Sequence, residues 1–168
     1  MMTRRTLLTT LAALGLGGGA ARTMSADAKA DKSSAGGIAK VKLSEAEWKA
    51  RLTAEQFRVL RREGTEAPGT SALNKEKRKG TYHCAGCDLP LFSSTAKYES
   101  GTGWPSFYQS LPDAVGFTTD YKLILPRTEY HCARCEGHHG HVFNDGPALT
   151  GKRYCNNGVA LKFVPAAA

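Results

Sequence analysis

The sequence predicts a mainly β fold of the α+β class, in which antiparallel β-sheets follow short N-terminal helices. Helix-capping patterns occur near the start of the globular part. Beyond Gly80 the helical period gives way to short β-rich runs such as TYHC, KLILP and GVALKF, separated by Gly, Pro, Asn and Asp. With 168 residues, 41% of them hydrophobic, the chain is long enough for one modest core.

The first 28 residues are predicted to be an export signal. Arg4 and Arg5 precede an apolar stretch from Leu7 to about Ala21, and small residues suited to cleavage follow. The adjacent arginines indicate the twin-arginine route into the bacterial periplasm, with the ordinary secretory route as the alternative. The stretch is shorter than the roughly 20 residues of a membrane helix, so no stable membrane anchor is expected. A membrane tether formed by an uncleaved signal is the alternative.

Residues 29–41 are rich in Lys, Ser, Gly and Ala, which is typical of a flexible linker. The folded domain is therefore expected over residues 42–164. Residues 165–168 would form a short tail.

Two capping-box patterns predict the N-terminal helices. S-x-x-E begins at Ser44 and T-x-x-Q begins at Thr53, which indicates helices over Ser44 to Arg51 and Ala54 to Arg62. Gly64 is the expected stop of the second helix. The apolar residues expected in the core are Trp48, Leu52, Phe57 and Leu60.

Two near-copies, TYHCAGC at Thr81 to Cys87 and EYHCARC at Glu129 to Cys135, each contain a C-x-x-C knuckle. Two residues between thiols let both sulfurs face one ion, and two such turns complete a tetrahedral zinc site. One structural Zn²⁺ is therefore predicted to join the two knuckles, and this four-cysteine site is part of the predicted fold. Its ligands would be Cys84, Cys87, Cys132 and Cys135. The 44-residue spacer predicts a small domain inserted between the knuckles.

Two other interpretations of the paired cysteines remain open. An exported protein meets an oxidising compartment, where the four thiols could form two disulfides. A C-x-x-C pair could also be redox-active. His83 and His131 precede the knuckles and are expected to be structural, because four thiolates already fill a zinc site. Such a closed site performs no chemistry, so activity must come from elsewhere.

Cys155 is the fifth cysteine and has no partner in the sequence. In an extended strand Arg153, Cys155 and Asn157 share one face. That face is expected to continue in the apolar residues Val159, Leu161 and Phe163. Cys155 would then stand at the polar rim of a core-facing strand, where the nearby guanidinium favours the reactive thiolate. A buried structural cysteine is the alternative.

The segment GHHGHVFNDGP supplies candidate acid–base groups. His138 and His141 could provide a proton, and Asp145 could orient one of them. A second metal site or plain surface histidines would also explain this spacing. Trp104, in SGTGWPSF, could form an apolar wall for a ligand or simply belong to the core.

Together these motifs resemble the type B methionine sulfoxide reductases, which reduce the R epimer of methionine sulfoxide. The resemblance covers roughly Val41 to Phe163 and rests on the two knuckles, GTGWPSF, HHGHVFNDGP, TGKRYCNNGVALKF and LTAEQFRVLRREGTE. It implies antiparallel β-sheets with short N-terminal helices. It also implies thiol-dependent repair of oxidised methionine, free or in proteins. A monomer is the default expectation for the oligomeric state.

The resemblance further implies residue roles. Cys155 matches the nucleophile that attacks the sulfoxide sulfur and becomes a sulfenic acid. Trp104 matches the residue that packs on the substrate methyl group, and Phe143 a second substrate-binding position. His138 and His141 match the histidines near the sulfoxide oxygen. Supporting polar positions are matched by Asp145, Arg153 and Asn157. The four knuckle cysteines match the structural zinc ligands.

Two departures from the family pattern stand out. Many members carry a resolving cysteine in SGCGW, where this chain has Thr102. Cys155 is therefore expected to be recycled by an external thiol, either a thioredoxin-like protein or a small dithiol; a knuckle cysteine released from zinc is a further option. His139 replaces a frequent leucine, and either shifts the local proton balance or faces solvent.

Two other function classes are compatible with parts of the sequence. A zinc-ribbon nucleic-acid binder would fit the net charge of +8 and the basic run KEKRK at Lys75 to Lys79. Export and the lack of aromatic residues among the basic ones argue against it, so no nucleic-acid partner is expected. A structural metalloprotein with an inert Cys155 is the other class.

Overall fold

The computed structural model describes residues 37–167, so the predicted export signal and most of the linker lie outside the described residues. Within this range no helix is long and apolar enough to cross a membrane. Residues 37–44 form neither helix nor strand. Ile38 and Val41 nevertheless pack against the core, and the Val41 N–H donates to the Arg134 carbonyl over 2.8 Å. The end of the predicted linker thus contacts the folded domain.

Both predicted capping boxes are present, and each begins a short helix, α1 (Glu45–Arg51) or α2 (Ala54–Arg62). In each box the N-cap hydroxyl accepts from a backbone N–H three residues on. α2 is capped by Glu63, whose φ of 53° is left-handed, and not by the predicted Gly64. Three of the four apolar residues expected in the core are buried, and Phe57 is partly exposed.

The mainly β prediction is confirmed: the described residues form nine strands. Their bounds are β1 Gly80–Cys84, β2 Pro90–Ser93, β3 Lys97–Tyr98, β4 Ser106–Phe107, β5 Val115–Asp120, β6 Arg127–Cys132, β7 His138–Phe143, β8 Arg153–Asn156 and β9 Leu161–Pro165. A small sheet has the order β2-β1-β9, and a large one has the order β3-β4-β8-β7-β6-β5. Every strand pair is antiparallel.

The core lies between the two sheets. Tyr82 and Phe92 from the small sheet are fully buried against Phe107 and Tyr130 from the large one. The Phe92 and Phe107 rings stack with their centroids 4.4 Å apart. These aromatic contacts bury large apolar surfaces and set how the sheets pack.

The prediction of a small domain inserted between the knuckles is wrong. The spacer contributes β2 to the small sheet, and it contributes β3, β4, β5 and most of β6 to the large one. Both sheets therefore depend on the same stretch of chain, which packs into their shared core.

The predicted continuous strand through Cys155 is also wrong. β8 ends at Asn156, a 3₁₀ turn covers Gly158–Ala160, and β9 joins the other sheet. Asn157 causes the break, because its backbone N–H and its side-chain amide both donate to the His139 carbonyl, over 2.8 and 2.9 Å. The apolar residues of β9 therefore do not extend the face that carries Cys155.

Candidate active site

The two knuckles are near-copies in structure as well as in sequence. In both, the first cysteine donates its N–H to the carbonyl five residues on, and its own carbonyl accepts from the residue four on, over 2.8–2.9 Å. That fourth residue, Asp88 or Glu136, is left-handed, with φ of 60° or 58°. Each tight turn brings its two cysteines close together.

The four knuckle cysteines form one cluster that could hold a metal ion. Their sulfurs all lie within 4.8 Å of one another. Cys84 is 3.6 Å from Cys135, and Cys87 is 3.5 Å from Cys132. A disulfide would need about 2.05 Å. Four sulfurs at about 2.3 Å from one tetrahedral ion lie roughly 3.8 Å apart, so the cluster fits one ion and not two disulfides.

The cluster also joins the two sheets. The first knuckle follows β1 at the centre of the small sheet, and the second follows β6 in the large sheet. Leu60 of α2 covers this region, since a Cβ added to Gly137 would lie 2.9 Å from Leu60 Cδ2 and 3.3 Å from Cys135 Sγ. The cysteine cluster is therefore part of the packed core.

Strand pairing places Cys155 beside a histidine. Cys155 on β8 pairs with His141 on β7, and His141 pairs with Glu129 on β6. Directly opposite residues of antiparallel strands project from the same face of the sheet. A thiol, an imidazole and a carboxylate thus form one row across three strands. Gly140 allows this close approach, because a Cβ there would collide with the Cys155 carbonyl oxygen.

Each histidine of the H-x-x-H motif is held by a carboxylate. His141 Nε2 lies 2.7 Å from Asp120 Oδ2, and His138 Nδ1 lies 2.9 Å from Glu129 Oε1. The two imidazole centroids are 5.5 Å apart. Burial lowers the pKa of His141 despite the opposing effect of Asp120, so this imidazole is neutral at pH 7.

Glu129 remains ionised although it is largely buried. Burial raises the pKa of this carboxyl, but hydrogen bonds from His131 and His138 outweigh burial and lower the pKa to about 2. The carboxylate in turn raises the pKa of His131. Glu129 is therefore a fixed negative charge at the end of the row.

The predicted role of Asp145 in orienting a histidine is wrong. Both of its carboxylate oxygens accept from the Arg153 guanidinium, each over 2.8 Å. The same guanidinium lies over the Phe143 ring, 4.3 Å from its centroid. Asp145 thus positions Arg153, and Arg153 in turn supports Phe143.

A buried glutamate that sequence reasoning missed positions Trp104 and Asn157. The Trp104 indole N–H donates to the Glu66 carbonyl over 2.9 Å, and the Glu66 N–H donates to Asn157 Oδ1 over 2.7 Å. The Glu66 carboxylate accepts from the Thr70 hydroxyl and the Val159 N–H, over 3.0 and 3.1 Å. These bonds tie the segment after α2 to the site.

The Cys155 thiol is less acidic than an ordinary one. Burial raises its pKa, while the nearby Arg153 guanidinium and a hydrogen bond with Thr102 lower it. Arg153 therefore lowers the pKa of Cys155, as the sequence predicted, but burial raises this pKa by more. At neutral pH the resting site holds a thiol beside a neutral imidazole.

Thr102 belongs to a chain of hydroxyl groups. Thr102 Oγ1 lies 2.8 Å from Ser100 Oγ, which lies 2.7 Å from Ser106 Oγ. Ser106 is fully buried and also donates to the Trp104 carbonyl over 3.0 Å. Each hydroxyl carries one proton, so while Ser106 donates to the Trp104 carbonyl, Ser100 must donate to Ser106. Thr102 then donates to Ser100, and its oxygen is left to accept from a Cys155 thiol. Donation from Thr102 to a thiolate reverses the chain, and Ser106 then gives up its bond to the Trp104 carbonyl.

His139 is a core residue, which contradicts the prediction that it might face solvent. Its side chain is fully buried, and burial lowers its pKa to about 3. Neither ring nitrogen has a hydrogen-bond partner among the residues that the structure describes. The imidazole is therefore neutral and occupies the position of an apolar side chain.

A small cavity of about 130 Å³ opens beside Cys155. Its lining residues are Thr65, Trp104, Arg127, Gly140, His141, Phe143, Cys155, Asn156 and Asn157. Five of the eight predicted catalytic and substrate-binding residues thus meet at one cavity. The other three, His138, Asp145 and Arg153, do not line this cavity.

Sequence reasoning also missed Asp120, Arg127 and Glu129. Arg127 and Glu129 alternate with His131 in one β-rich run, and this spacing could have placed Arg127, Glu129 and His131 on one face of a strand. Asp120 has no such local signal, because its role depends on pairing across the sheet. Its Oδ2 atom lies 2.6 Å from Arg127 Nη2.

Comparison with known proteins agrees with this geometry. The SelR domain family matches residues 52–165. Peptide methionine sulfoxide reductase MsrB of Leptospira interrogans is 55% identical over 124 residues, which cover 73% of this chain and 95% of that protein. MsrB of Pseudomonas putida is 54% identical over 120 residues, which cover 71% and 90%.

A eukaryotic relative is similar over the same domain. Methionine-R-sulfoxide reductase B2, mitochondrial, of Rattus norvegicus is 52% identical over 134 residues, which cover 75% of this chain and 77% of that protein. The family match spans more than half of the chain, and these relatives are matched over most of their own length. The chain belongs to the SelR domain family, the type B methionine sulfoxide reductases.

Proposed function

We propose that this enzyme reduces the R epimer of methionine sulfoxide, free or in proteins, to methionine, with Cys155 as the nucleophile. The main support for Cys155 as the nucleophile is that it lies in one row with His141 and Glu129, beside one small cavity. The relatives support the reaction, since their names describe methionine sulfoxide reductases.

The chemistry requires a thiol and a proton at one place. A sulfoxide oxygen is a poor leaving group until it is protonated. Cys155 Sγ attacks the sulfoxide sulfur, and the thiol proton passes to the sulfoxide oxygen, directly or through His141. The hydroxyl so formed ends on Cys155 as a sulfenic acid while methionine leaves. The raised pKa of Cys155 keeps the needed proton on the thiol until substrate arrives.

The remaining site residues hold the substrate and the catalytic groups. Trp104 and Phe143 supply apolar walls for the methyl group, and their fixed positions would select the R epimer. Asp120 anchors His141 at the cavity, beside the proposed place of the sulfoxide oxygen. Glu129 anchors His138, whose ring centroid lies 5.5 Å from that of His141. The other supporting residues are Asp145, Arg153 and Asn157.

An external thiol must regenerate Cys155. The chain has five cysteines, and four of them form the metal cluster. A thioredoxin-like protein or a small dithiol would supply two thiols, which leave as a disulfide while the sulfenic oxygen leaves as water. Thr102 at the position of the resolving cysteine supports this route.

Zn²⁺ is the proposed occupant of the cysteine cluster. Tetrahedral coordination by four thiolates is characteristic of structural zinc, and no ligand position remains open for substrate. The ion would stabilise the contact between the two sheets, and the reaction would take place at Cys155.

The proposed location is the periplasm, reached through a twin-arginine signal in residues 1–28, and the proposed state is a monomer. The paired arginines and the apolar stretch support export. An uncleaved signal would instead tether the enzyme to the membrane. N-terminal sequencing of the exported protein, together with sedimentation of the purified domain, tests these statements.

The deciding experiment is turnover of each epimer of a blocked methionine sulfoxide with dithiothreitol. Wild-type, metal-loaded protein should reduce only the R epimer, and Cys155→Ser should be inactive while retaining its metal. Leu149→Ser, a change at an exposed residue outside the cavity, is the matched control. Inactivity of folded, metal-loaded wild type toward both epimers would overturn the proposal.

A further inference from the structure

An exposed apolar loop connects β5 and β6. Leu123, Ile124 and Leu125 expose 57%, 101% and 75% of their surfaces, and we call these three residues the apolar loop. Soluble domains rarely display contiguous apolar side chains unless the surface binds something. The apolar loop is therefore a candidate binding surface.

The apolar loop adjoins the Cys155 cavity. It lines a broad cavity of about 690 Å³, whose wall also includes Arg127 and Phe143. Both of these residues line the smaller cavity at Cys155 as well. The two cavities are therefore neighbours that share part of one wall.

The base of the loop is fixed to the catalytic row. The Arg127–Asp120 ion pair, at 2.6 Å, joins the end of β5 to the start of β6. The same oxygen of Asp120 lies 2.7 Å from His141 Nε2. One carboxylate thus sets both the position of the loop and the orientation of the catalytic imidazole.

The size of the Cys155 cavity limits what enters it. Its volume of about 130 Å³ is well below the roughly 300–1,000 Å³ of ordinary ligand pockets, so it admits one side chain. Residues flanking a methionine sulfoxide in a protein must lie outside it. In an extended segment, side chains two positions apart project to the same side, about 7 Å apart.

We propose that the apolar loop binds an apolar side chain two positions from the methionine sulfoxide in an extended segment of an oxidised protein. This inference rests on the proposed function and names its substrate class. The enzyme therefore favours oxidised segments that carry an apolar residue two positions from the sulfoxide.

The test uses two blocked peptides with one R-methionine sulfoxide each, flanked two positions away on both sides by leucine or by serine. With dithiothreitol, wild type should show a kcat/KM roughly tenfold higher for the leucine peptide, as expected from partial burial of one leucine. The double variant Ile124→Ser/Leu125→Ser should lose this preference through a raised KM. Its turnover of the blocked amino acid should be unchanged.

Leu149→Ser is the matched control, because Leu149 is 76% exposed and lines neither cavity. Equal KM values for both peptides in wild type, with normal turnover of the blocked amino acid, would overturn this inference alone. A defect of the double variant confined to thioredoxin-supported turnover would assign the loop to the reductant. A defect confined to binding of anionic lipid vesicles would assign it to a membrane surface. Wild-type inactivity toward the blocked amino acid would remove the proposed function and this inference together.

Discussion

Cys155 and His141 are fixed opposite each other by the backbone pairing of β8 with β7. Their relative position is therefore set by two strands of a six-stranded sheet, with little freedom for either side chain to move away. Asp120 then fixes the imidazole from its other side. This arrangement makes each group separately testable.

Replacing His141 should slow the chemical step and leave the thiol intact. We expect His141→Asn to lower kcat by about 10²–10⁴-fold, the usual contribution of a general acid–base group. Alkylation of Cys155 by iodoacetamide should still occur at a similar rate. Steady-state kinetics with a blocked R-sulfoxide provides the measurement. An unchanged kcat would remove His141 from the proton path.

Replacing His139 should stabilise the protein without affecting catalysis. His139→Leu removes two buried ring nitrogens that have no partner among the described residues. Each buried polar group without a partner costs about 1–3 kcal/mol, so the free energy of unfolding should rise by about 1 kcal/mol or more. Urea denaturation at pH 7 measures it, and kcat/KM should stay at the wild-type value.

The same variant should also flatten the dependence of stability on pH. The folded-state pKa of His139 is lowered to about 3, whereas an unfolded histidine titrates near 6.5, at about its reference pKa. Between these values the unfolded chain binds more protons, so the wild type loses stability as pH falls below about 6.5. Thermal melts between pH 7 and pH 5 should show a smaller decrease for His139→Leu. Parallel curves would contradict the buried, neutral state.

Replacing Thr102 should make Cys155 less acidic. Thr102→Val removes a hydrogen bond that lowers the pKa of the thiol, so the inflection of the alkylation rate against pH should move upward. Ser100→Ala interrupts the hydroxyl chain one step further away and should move it in the same direction by less. An unchanged inflection in both variants would exclude the chain from thiolate stabilisation.

Introducing a thiol at the same position should change how the enzyme is recycled. In Thr102→Cys the new thiol stands within reach of Cys155 and should attack the sulfenic acid to form a disulfide. Intact mass after a single turnover, without added reductant, should show that disulfide, whereas wild type should retain the sulfenic acid. Cys155→Ser in the same background is the control that should form none.

Loss of the metal-binding cysteine cluster should unfold the whole domain and not only the segments next to the cluster. The cysteine cluster links β1 of the small sheet to β6 of the large sheet, and the aromatic core lies between these sheets. We expect Cys87→Ser to lose its capacity to bind a metal ion, its thermal stability and its activity together. Cys155→Ser should retain metal binding and stability. Metal analysis with circular dichroism provides the measurement.

Local patterns predicted the two helices and the clustering of the four knuckle cysteines, because capping boxes and C-x-x-C turns are complete within a few residues. The roles of Asp120 and Glu129 depend on strand register across the large sheet, which short-range sequence patterns do not specify. The strand through Cys155 was extended too far because Asn157 bonds to a distant carbonyl. Asp145 was assigned to a histidine because it is near in sequence, yet Arg153 lies closer in space.

The burial that raises the pKa of Cys155 has a consequence for the survival of the enzyme. Peroxides attack thiolates far faster than thiols, and further oxidation to sulfinic acid is not reversed by ordinary thiols. If Cys155 is the nucleophile, as proposed, resting in the protonated form protects it from the oxidants that generate methionine sulfoxide. We therefore expect hydrogen peroxide to inactivate the resting enzyme slowly at neutral pH and faster as pH rises, so that repair continues during oxidative stress.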